Sequence, residues 1–256
     1  MGSINKDVFL KLKIFLFKHV PENSIFWKLN ILLYNRFFRN RQYMYFHHKN
    51  ILLEDFKAIY FFIPKVACST LKKICAESLG YILHKDNIDQ NIHLIDYPYA
   101  PLNEIYTTYK HYFKFAFVRN PWDRLVSCYL NKIGPSSIHG NFSKYGLFYP
   151  DMSFENFVKA VAIIPDIVSD EHFRSQASFL WDIHGEQRVD FIGKLESIDK
   201  DFGIVGKRLN MPVDKLPHLM RSRKRKLDYR NYYTNETIAL VANRYRKDIE
   251  LLGYTF

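Results

Sequence analysis

Three short runs of apolar, β-branched and aromatic residues stand out along the chain, at positions 58–63, 113–118 and 189–193. Each run precedes a segment whose apolar residues recur three and four positions apart, as in an amphipathic helix. Strands that alternate with helices are typical of βα units. The pattern therefore predicts an α/β fold with a central parallel β-sheet flanked by helices.

Capping residues mark where the first two of these helices begin and end. Ser69 is a candidate N-cap after the first strand, and Gly80 follows the last apolar position of that helix. After the second strand, Asn120 is a candidate N-cap and Pro121 suits the first helical position. Both helices are thus expected to start directly at a strand end.

The organisation of the chain favours one domain over residues 51–256. No repeat, low-complexity stretch or Gly/Ser-rich linker divides it, and a chain of 256 residues that is 48% hydrophobic can bury one substantial core. Apolar positions from 238 to 252 predict one long helix ended by Gly253. Residues 1–50 predict amphipathic helices, either packed on the domain or docked on a membrane or a partner. Charged residues interrupt their apolar runs, so we expect no signal peptide and no transmembrane helix.

The charge balance and the cysteines restrict the partners and the compartment. The 37 Lys and Arg exceed the 26 Asp and Glu, and the net charge of +11 favours nucleotides, nucleic acid, acidic glycans or an anionic membrane surface. The three cysteines, Cys68, Cys75 and Cys128, form no CxxC pair and are odd in number. A disulfide framework or a zinc site is therefore not expected, and a reducing, cytoplasmic location is predicted.

The segment 64–70, which reads PKVACST, lies between the first predicted strand and a helix N-terminus. Unpaired backbone N–H groups and the helix dipole favour an anion at such a place. The segment has no glycine, and its lysine comes early, unlike the GxxxxGK[ST] loop of ATP- and GTP-hydrolysing enzymes. It therefore predicts a cradle for a different phosphorylated donor.

Two stretches carry a resemblance to a known family. Residues 59–72 read IYFFIPKVACSTLK, and residues 113–132 read FKFAFVRNPWDRLVSCYLNK. They resemble the 5′-phosphosulfate loop and the 3′-phosphate motif of the carbohydrate sulfotransferases that include the chondroitin 4-O- and HNK-1 enzymes. The resemblance, which weakens but continues through most of the chain beyond residue 55, implies a P-loop-like sulfotransferase fold. It also implies 3′-phosphoadenosine 5′-phosphosulfate (PAPS) as donor, its bisphosphate product (PAP), a carbohydrate acceptor and no metal.

The resemblance assigns residues to the donor site. In it, Lys65 contacts the bridging oxygen of the phosphosulfate, the following residues bind the 5′-phosphate, and Arg119 and Ser127 hold the 3′-phosphate. A basic run near the C-terminus is similar in position to a loop that closes over the nucleotide in related enzymes. The expected donor-binding residues are Lys65, Val66, Ala67, Cys68, Ser69, Thr70, Arg119, Ser127, Ser222, Arg223 and Lys224.

The acceptor hydroxyl must lose a proton, for which histidine is suited near neutral pH. The position of His93, upstream of the second predicted strand, resembles that of the family's catalytic histidine. His172, Arg174 and Gln176 belong to a segment that resembles the family's acceptor-side His-x-x-Pro-Gln motif, with Ser175 in place of the proline. Whether His93 or His172 is the base stays open. The cysteines that often follow this motif in secreted relatives are absent here, which agrees with a cytoplasmic, bacterial-type member.

Two other readings compete with this one. A P-loop-like kinase lacks its glycines here and has no obvious Mg²⁺-binding carboxylate. A basic nucleic-acid or polyanion-binding module is suggested by the net charge and by the run at 221–226, without a recognised nucleic-acid motif. We therefore expect a carbohydrate partner and no nucleic acid, with peripheral contact to the inner membrane face through the N-terminal segment as an open alternative. The oligomeric state is not predicted.

Overall fold

The architecture is that of a computed structural model, which describes residues 50–83, 92–138, 142, 145–210 and 227–256. The N-terminal segment 1–49, with the alternatives predicted for it, lies outside the described residues. The strands are β1 Asn50–Leu53, β2 Ala58–Phe61, β3 Tyr99–Ala100, β4 Phe113–Val118 and β5 Phe191–Lys194. The helices are α1 Cys68–Ser78, α2 Pro121–Lys132, α3 Phe154–Ala162, α4 Ala177–Leu180, α5 Ile198–Leu209, α6 Asn235–Arg244 and α7 Arg246–Leu252.

The strands form one sheet in the order β3-β1-β2-β4-β5. Strands β2, β4 and β5 run parallel, with Ala58 opposite Phe113 and Val118 opposite Lys194 at the two pairings. Strands β1 and β3 add two antiparallel strands beside β2. The predicted α/β fold with parallel strands flanked by helices is confirmed, and the sheet as a whole is mixed.

Burial explains why the parallel strands read as continuous apolar runs. All four residues of β2 are buried, as are five of the six in β4, because residues on both faces of these strands are covered. Gly193 in β5 is required by packing, since a Cβ there would overlap the ring of Phe117. The parallel strands end at Phe61, Val118 and Lys194, so their following loops lie along one edge of the sheet.

The described residues fall into two compact units. The sheet unit contains the described residues within 50–124, 175–227 and 247–256, and the helical unit contains those within 125–174 and 228–246. The prediction of a single domain over 51–256 stays a prediction. Within the described part of the chain, no helix combines the length and the apolar character needed to cross a membrane.

The helical unit has an aromatic core. Phe142, Phe157 and Phe173 are fully buried, and the ring of Phe142 lies 5.1 Å from that of Phe173 and 5.0 Å from that of Phe148. Helices α3 and α6 pack against each other around it. Since each of these rings removes a large apolar area from water, their packing stabilises the unit.

The C-terminal helix predicted as one element is two. Helix α6 ends at Arg244 and α7 begins at Arg246, with Tyr245 between them at φ −112° and ψ 27°. The Tyr245 side chain is buried, and its hydroxyl donates a 2.6 Å hydrogen bond to the carbonyl of Phe173. The apolar spacing continues across the break, so the periodicity alone could not locate it. Gly253 follows α7 with φ +65°, as predicted for the residue that ends it.

Candidate functional site

The loop between β2 and α1 has an unusual backbone for a segment without glycine. Lys65 and Ala67 have positive φ angles of 70° and 45°, while Val66 between them does not. Left-handed residues separated by a residue of negative φ can direct successive backbone N–H groups to one side, an arrangement that suits an anion. Val66 is fully buried, whereas Lys65 is partly exposed. The loop therefore presents a lysine and a set of N–H groups beside each other.

Two buried arginines hold the carbonyl groups of this loop. Nε of Arg124 donates to the Pro64 carbonyl at 3.0 Å, and Nη1 of Arg119 donates to the Lys65 carbonyl at 3.1 Å. A peptide group is planar and trans, so a carbonyl directed at an arginine points its own peptide N–H the opposite way. The N–H groups of Lys65 and Val66 consequently face away from the arginines. The two arginines thus fix the direction in which the peptide groups of the loop point.

Helix α1 continues the loop with its own N-terminus. Its first backbone hydrogen bond joins the Leu71 N–H to the Ala67 carbonyl, so the N–H groups of residues 68–70 have no partner within the helix. The predicted N-cap at Ser69 is wrong: the helix starts at Cys68, with left-handed Ala67 in the cap position and no side-chain cap. Unpaired helical N–H groups and the helix dipole make this end suited to an anion.

Ser69 instead contacts the histidine singled out from the sequence. Its Oγ lies 3.0 Å from Nε2 of His93, which is exposed. The two residues are 24 positions apart, and Ser69 is in the first turn of α1. The structure thereby brings His93 to the N-terminal end of that helix.

Arg119 follows the last residue of β4, beside the end of β2. Its guanidinium is largely buried, and Nε donates to the Asp123 carboxylate at 2.7 Å. Burial lowers the pKa of Arg119 to about 10, and the nearby Glu196 carboxylate opposes that shift. The group therefore remains positively charged at neutral pH. Lys65 and Arg119 lie side by side, as expected from two neighbouring parallel strand ends.

Asn120 connects the turn after β4 to the C-terminus of the chain. Its Oδ1 accepts from the Trp122 N–H at 3.0 Å, which confirms the predicted helix cap. Its Nδ2 donates to the Thr255 carbonyl at 2.8 Å, and its backbone N–H donates to Glu196 at 2.6 Å. The turn that contains Arg119 is thus also held by hydrogen bonds to the C-terminal residues and to Glu196.

Gln176 lies buried against the backbone of Arg119. Its side chain has no exposed surface. Its Oε1 accepts from the Arg119 N–H at 2.9 Å, and its Nε2 donates to the Arg119 carbonyl at 2.8 Å. Both ends of the amide are therefore used by backbone groups of Arg119, and the acceptor-binding role expected of Gln176 stays a prediction.

The remaining candidates lie in the helical unit or outside the described residues. His172 places Nδ1 2.6 Å from an oxygen of Asp170, and buried Arg174 donates to the Ser169 carbonyl at 2.6 Å. Both residues, and partly exposed Ser127 on α2, belong to the helical unit, so their assigned roles stay predictions. Ser222, Arg223 and Lys224 lie outside the described residues. Within the described ranges, no group of three or more His, Cys, Asp and Glu could hold a metal ion.

The sequence did not identify the residues that hold the site in shape. Arg124 is only 2% exposed, although charged residues on a helix are mostly at the surface. Its partner at Pro64 is 60 positions away. Glu196 and Asp248, which bind the backbone near Arg119 and Gln176, carried no recognisable signal either. Of the three, Arg124 alone lies inside a stretch that carries the resemblance, which is the signal that could have drawn attention to it.

Comparison with known proteins shows what kind of chain this is. Carbohydrate sulfotransferase 14 of Danio rerio is 28% identical over 184 residues, which cover 64% of this chain and 49% of that protein. The protein of the same name from Mus musculus is 37% identical over 90 residues, covering 34% of this chain and 24% of that protein. Carbohydrate sulfotransferase 11 of Rattus norvegicus is 27% identical over 179 residues, which cover 59% of this chain and 50% of that protein.

The chain thus spans at most about half the length of these relatives. No solved structure matches it significantly. A family model described as the sulfotransferase family, in contrast, matches residues 49–255, which include both motifs and nearly all of the described residues. This confirms the resemblance seen in the two motifs, and the chain belongs to the sulfotransferase family.

Proposed function

We propose that this chain transfers a sulfuryl group from PAPS to a hydroxyl of a carbohydrate. The observation that carries the proposal is the contact between Arg119 and the Lys65 carbonyl, 3.1 Å long, at the ends of two adjacent parallel strands. It puts a cation suited to one phosphate next to a lysine and an N–H cradle suited to another. A nucleotide with phosphates at both its 3′ and 5′ positions matches two such anion sites.

The residues of the sheet unit fit the two ends of that donor. The N–H groups of residues 66–70 and the start of α1 would bind the 5′-phosphosulfate, and Arg119 would bind the 3′-phosphate. Arg119 carries its charge in a largely buried place, where a charge interacts more strongly with an anion than it does in water. Recognition of the 3′-phosphate would separate this donor from ATP.

Sulfuryl transfer requires stabilisation of the negative charge on the leaving phosphate and one group that accepts the hydroxyl proton. The acceptor oxygen forms a bond to sulfur, the bond from sulfur to the bridging oxygen breaks, and the phosphate leaves with the bonding electrons. Lys65 would stabilise the charge that grows on that oxygen, so its effect would be larger in the transition state than in the ground state. His93 would take the hydroxyl proton, and its contact with Ser69 would orient the ring. His172, beside Asp170, is the alternative base.

The acceptor class rests on the relatives. Those compared above are named carbohydrate sulfotransferases, and they are 27–37% identical to this chain over the aligned residues. We therefore propose a sugar hydroxyl as acceptor. We also propose a cytoplasmic location, on the basis of the cysteine pattern in the sequence.

The experiment that tests the donor is calorimetry with adenosine 3′,5′-bisphosphate, adenosine 5′-monophosphate and ATP. We expect tight binding of the bisphosphate alone. Preference for ATP would favour the kinase alternative, and steeply salt-dependent binding of DNA or RNA without bisphosphate binding would favour the polyanion-binding module. Transfer of labelled sulfate from PAPS to members of a glycan library would then test the acceptor class, and failure with every glycan would contradict the carbohydrate assignment.

A further inference from the structure

Gln176 holds the backbone of Arg119 at two points. The N–H and the carbonyl of Arg119 are both bonded to the amide of this one side chain, at 2.9 and 2.8 Å. A glutamine that pairs with both backbone groups of a residue fixes its position as well as the direction in which its side chain leaves the backbone. The pairing is fully buried, so water cannot replace either hydrogen bond.

Gln176 is in turn fixed by a buried carboxylate. Asp248 on α7 has no exposed surface, and its two oxygens accept from the backbone N–H groups of Gln176 and Ala177 at 2.8 and 2.7 Å. Hydrogen bonds to a charged acceptor are stronger than those between neutral groups. The order of contacts from α7 to the strand end is therefore Asp248, Gln176, Arg119.

We infer that Gln176, anchored by Asp248, is a positioning residue that sets the selectivity of Arg119 for a 3′-phosphate. This inference rests on the function proposed above. The far end of the Arg119 side chain is directed by Asp123 and by the Lys65 carbonyl, and Gln176 fixes the near end. With both ends held, the guanidinium meets a phosphate at one place only. Loss of the near-end contacts should weaken binding of nucleotides that carry a 3′-phosphate and spare those that lack it.

The substitution Gln176→Glu tests this with a pH-dependent readout. A protonated glutamic acid can still accept from the Arg119 N–H and donate to its carbonyl, as glutamine does, whereas the ionised form has no donor. The charged and titratable groups near this position include Arg119 with its partner Asp123, the carboxylates of Asp248 and Glu196, and the hydroxyl of Tyr254. They are the same in wild type and variant. The ratio of variant to wild type also cancels the titration of the nucleotide's own phosphates.

The quantity to measure is selectivity, the dissociation constant of adenosine 5′-monophosphate divided by that of adenosine 3′,5′-bisphosphate, by calorimetry from pH 5 to 8. At pH 8 we expect Gln176→Glu to have at least about tenfold lower selectivity than wild type. Selectivity should return toward the wild-type value as the pH falls and the introduced carboxyl group becomes protonated. Monophosphate affinity should stay close to that of wild type throughout.

Gln187→Glu is the matched control. Gln187 also donates to a backbone carbonyl, that of Val189, at 2.7 Å, but its side chain is exposed and has no contact with Arg119. The Gln187→Glu variant should keep wild-type selectivity at every pH. If Gln176→Glu does not fold, Asp248→Asn retains one oxygen acceptor for the two N–H groups and should lower selectivity without recovery at low pH.

The outcomes separate this inference from the proposed function. A wild type that does not prefer the bisphosphate contradicts the proposed function itself. A wild type that prefers it, with equal selectivity in Gln176→Glu at pH 8, overturns the inference alone. Equal weakening of both nucleotides in the variant would also overturn it, because it would show a general structural role.

Discussion

Replacement of Lys65 by glycine should remove activity without removing stability. Lys65 has a left-handed backbone, with φ 70°, and its side chain is partly exposed. A left-handed conformation costs an L-residue roughly 1–2 kcal/mol, a cost that glycine does not have. Glycine also raises the entropy of the unfolded chain, which offsets about 0.4–1 kcal/mol of this gain. The Lys65 carbonyl that accepts from Arg119 is kept in the variant.

Lys65→Gly should therefore raise the free energy of unfolding by between about zero and 1.5 kcal/mol. For a chain of this size, each kcal/mol shifts Tm by about 2–4 °C, so we expect Tm to stay constant or rise by up to about 6 °C. Turnover should fall by about 10²–10³-fold, the usual effect of removing one group that stabilises a developing negative charge. Tm is measured by calorimetry, and turnover by bisphosphate release with a glycan acceptor.

The same exchange at Lys57 is the matched control. Lys57 is also left-handed, at φ 46° and ψ 50°. It is exposed and directly precedes β2, so it lies at the opposite end of that strand from the loop that contains Lys65. Lys57→Gly should change Tm by a similar amount and leave turnover unchanged. If Lys65→Gly keeps turnover within about threefold of wild type, Lys65 has no catalytic role. If both variants unfold at lower temperature, the strain argument is wrong.

Three further predictions concern the base, the thiols and the turn after β4. His93→Ala should lower turnover and remove the acidic limb of its pH profile, whereas the same loss in His172→Ala and not in His93→Ala would assign the base to His172. Burial raises the pKa of the Cys75 thiol to about 12, so mass spectrometry after alkylation of the native protein at neutral pH should find Cys68 modified and Cys75 intact; equal labelling would contradict this. Glu196→Gln should lower the free energy of unfolding by about 1–3 kcal/mol in chemical denaturation, because a carboxylate that accepts from a backbone N–H and a tyrosine hydroxyl loses its charge, and an unchanged midpoint would contradict that role.

The sequence predicted the parallel strands well and the antiparallel strands not at all. Strands β2, β4 and β5 are apolar runs next to helical patterns, which is a strong signal for buried parallel strands. Strand β3 has only two residues, too few for any periodicity. The link from β1 to β2 is a short 3₁₀ turn, Glu54–Phe56, with left-handed Lys57, and contains none of the Gly or Asn-Gly pairs that mark hairpins.

The candidate site was predictable where it depends on strand ends and not where it depends on distant contacts. That Lys65 and Arg119 meet follows from two neighbouring parallel strands, each with its motif at the carboxyl end. The roles of Arg124 and Gln176 depend on partners 60 and 57 positions away. Arg124 lies in α2, where a charged residue is expected at the surface, and Gln176 directly precedes α4, so periodicity gave no signal for the burial of either side chain.

The same contacts explain how a phosphate-binding loop can form without glycine. Left-handed backbone at Lys65 and Ala67 costs roughly 2–4 kcal/mol in total. The two hydrogen bonds from buried guanidinium groups to the carbonyls of Pro64 and Lys65 contribute about 1.5–3 kcal/mol each, which is enough to hold that conformation. One of these guanidinium groups belongs to Arg119, the proposed ligand of the 3′-phosphate. A shift of Arg119 would therefore also relax the loop at Lys65, so the two ends of the proposed donor site are mechanically coupled and depend on the same buried polar contacts.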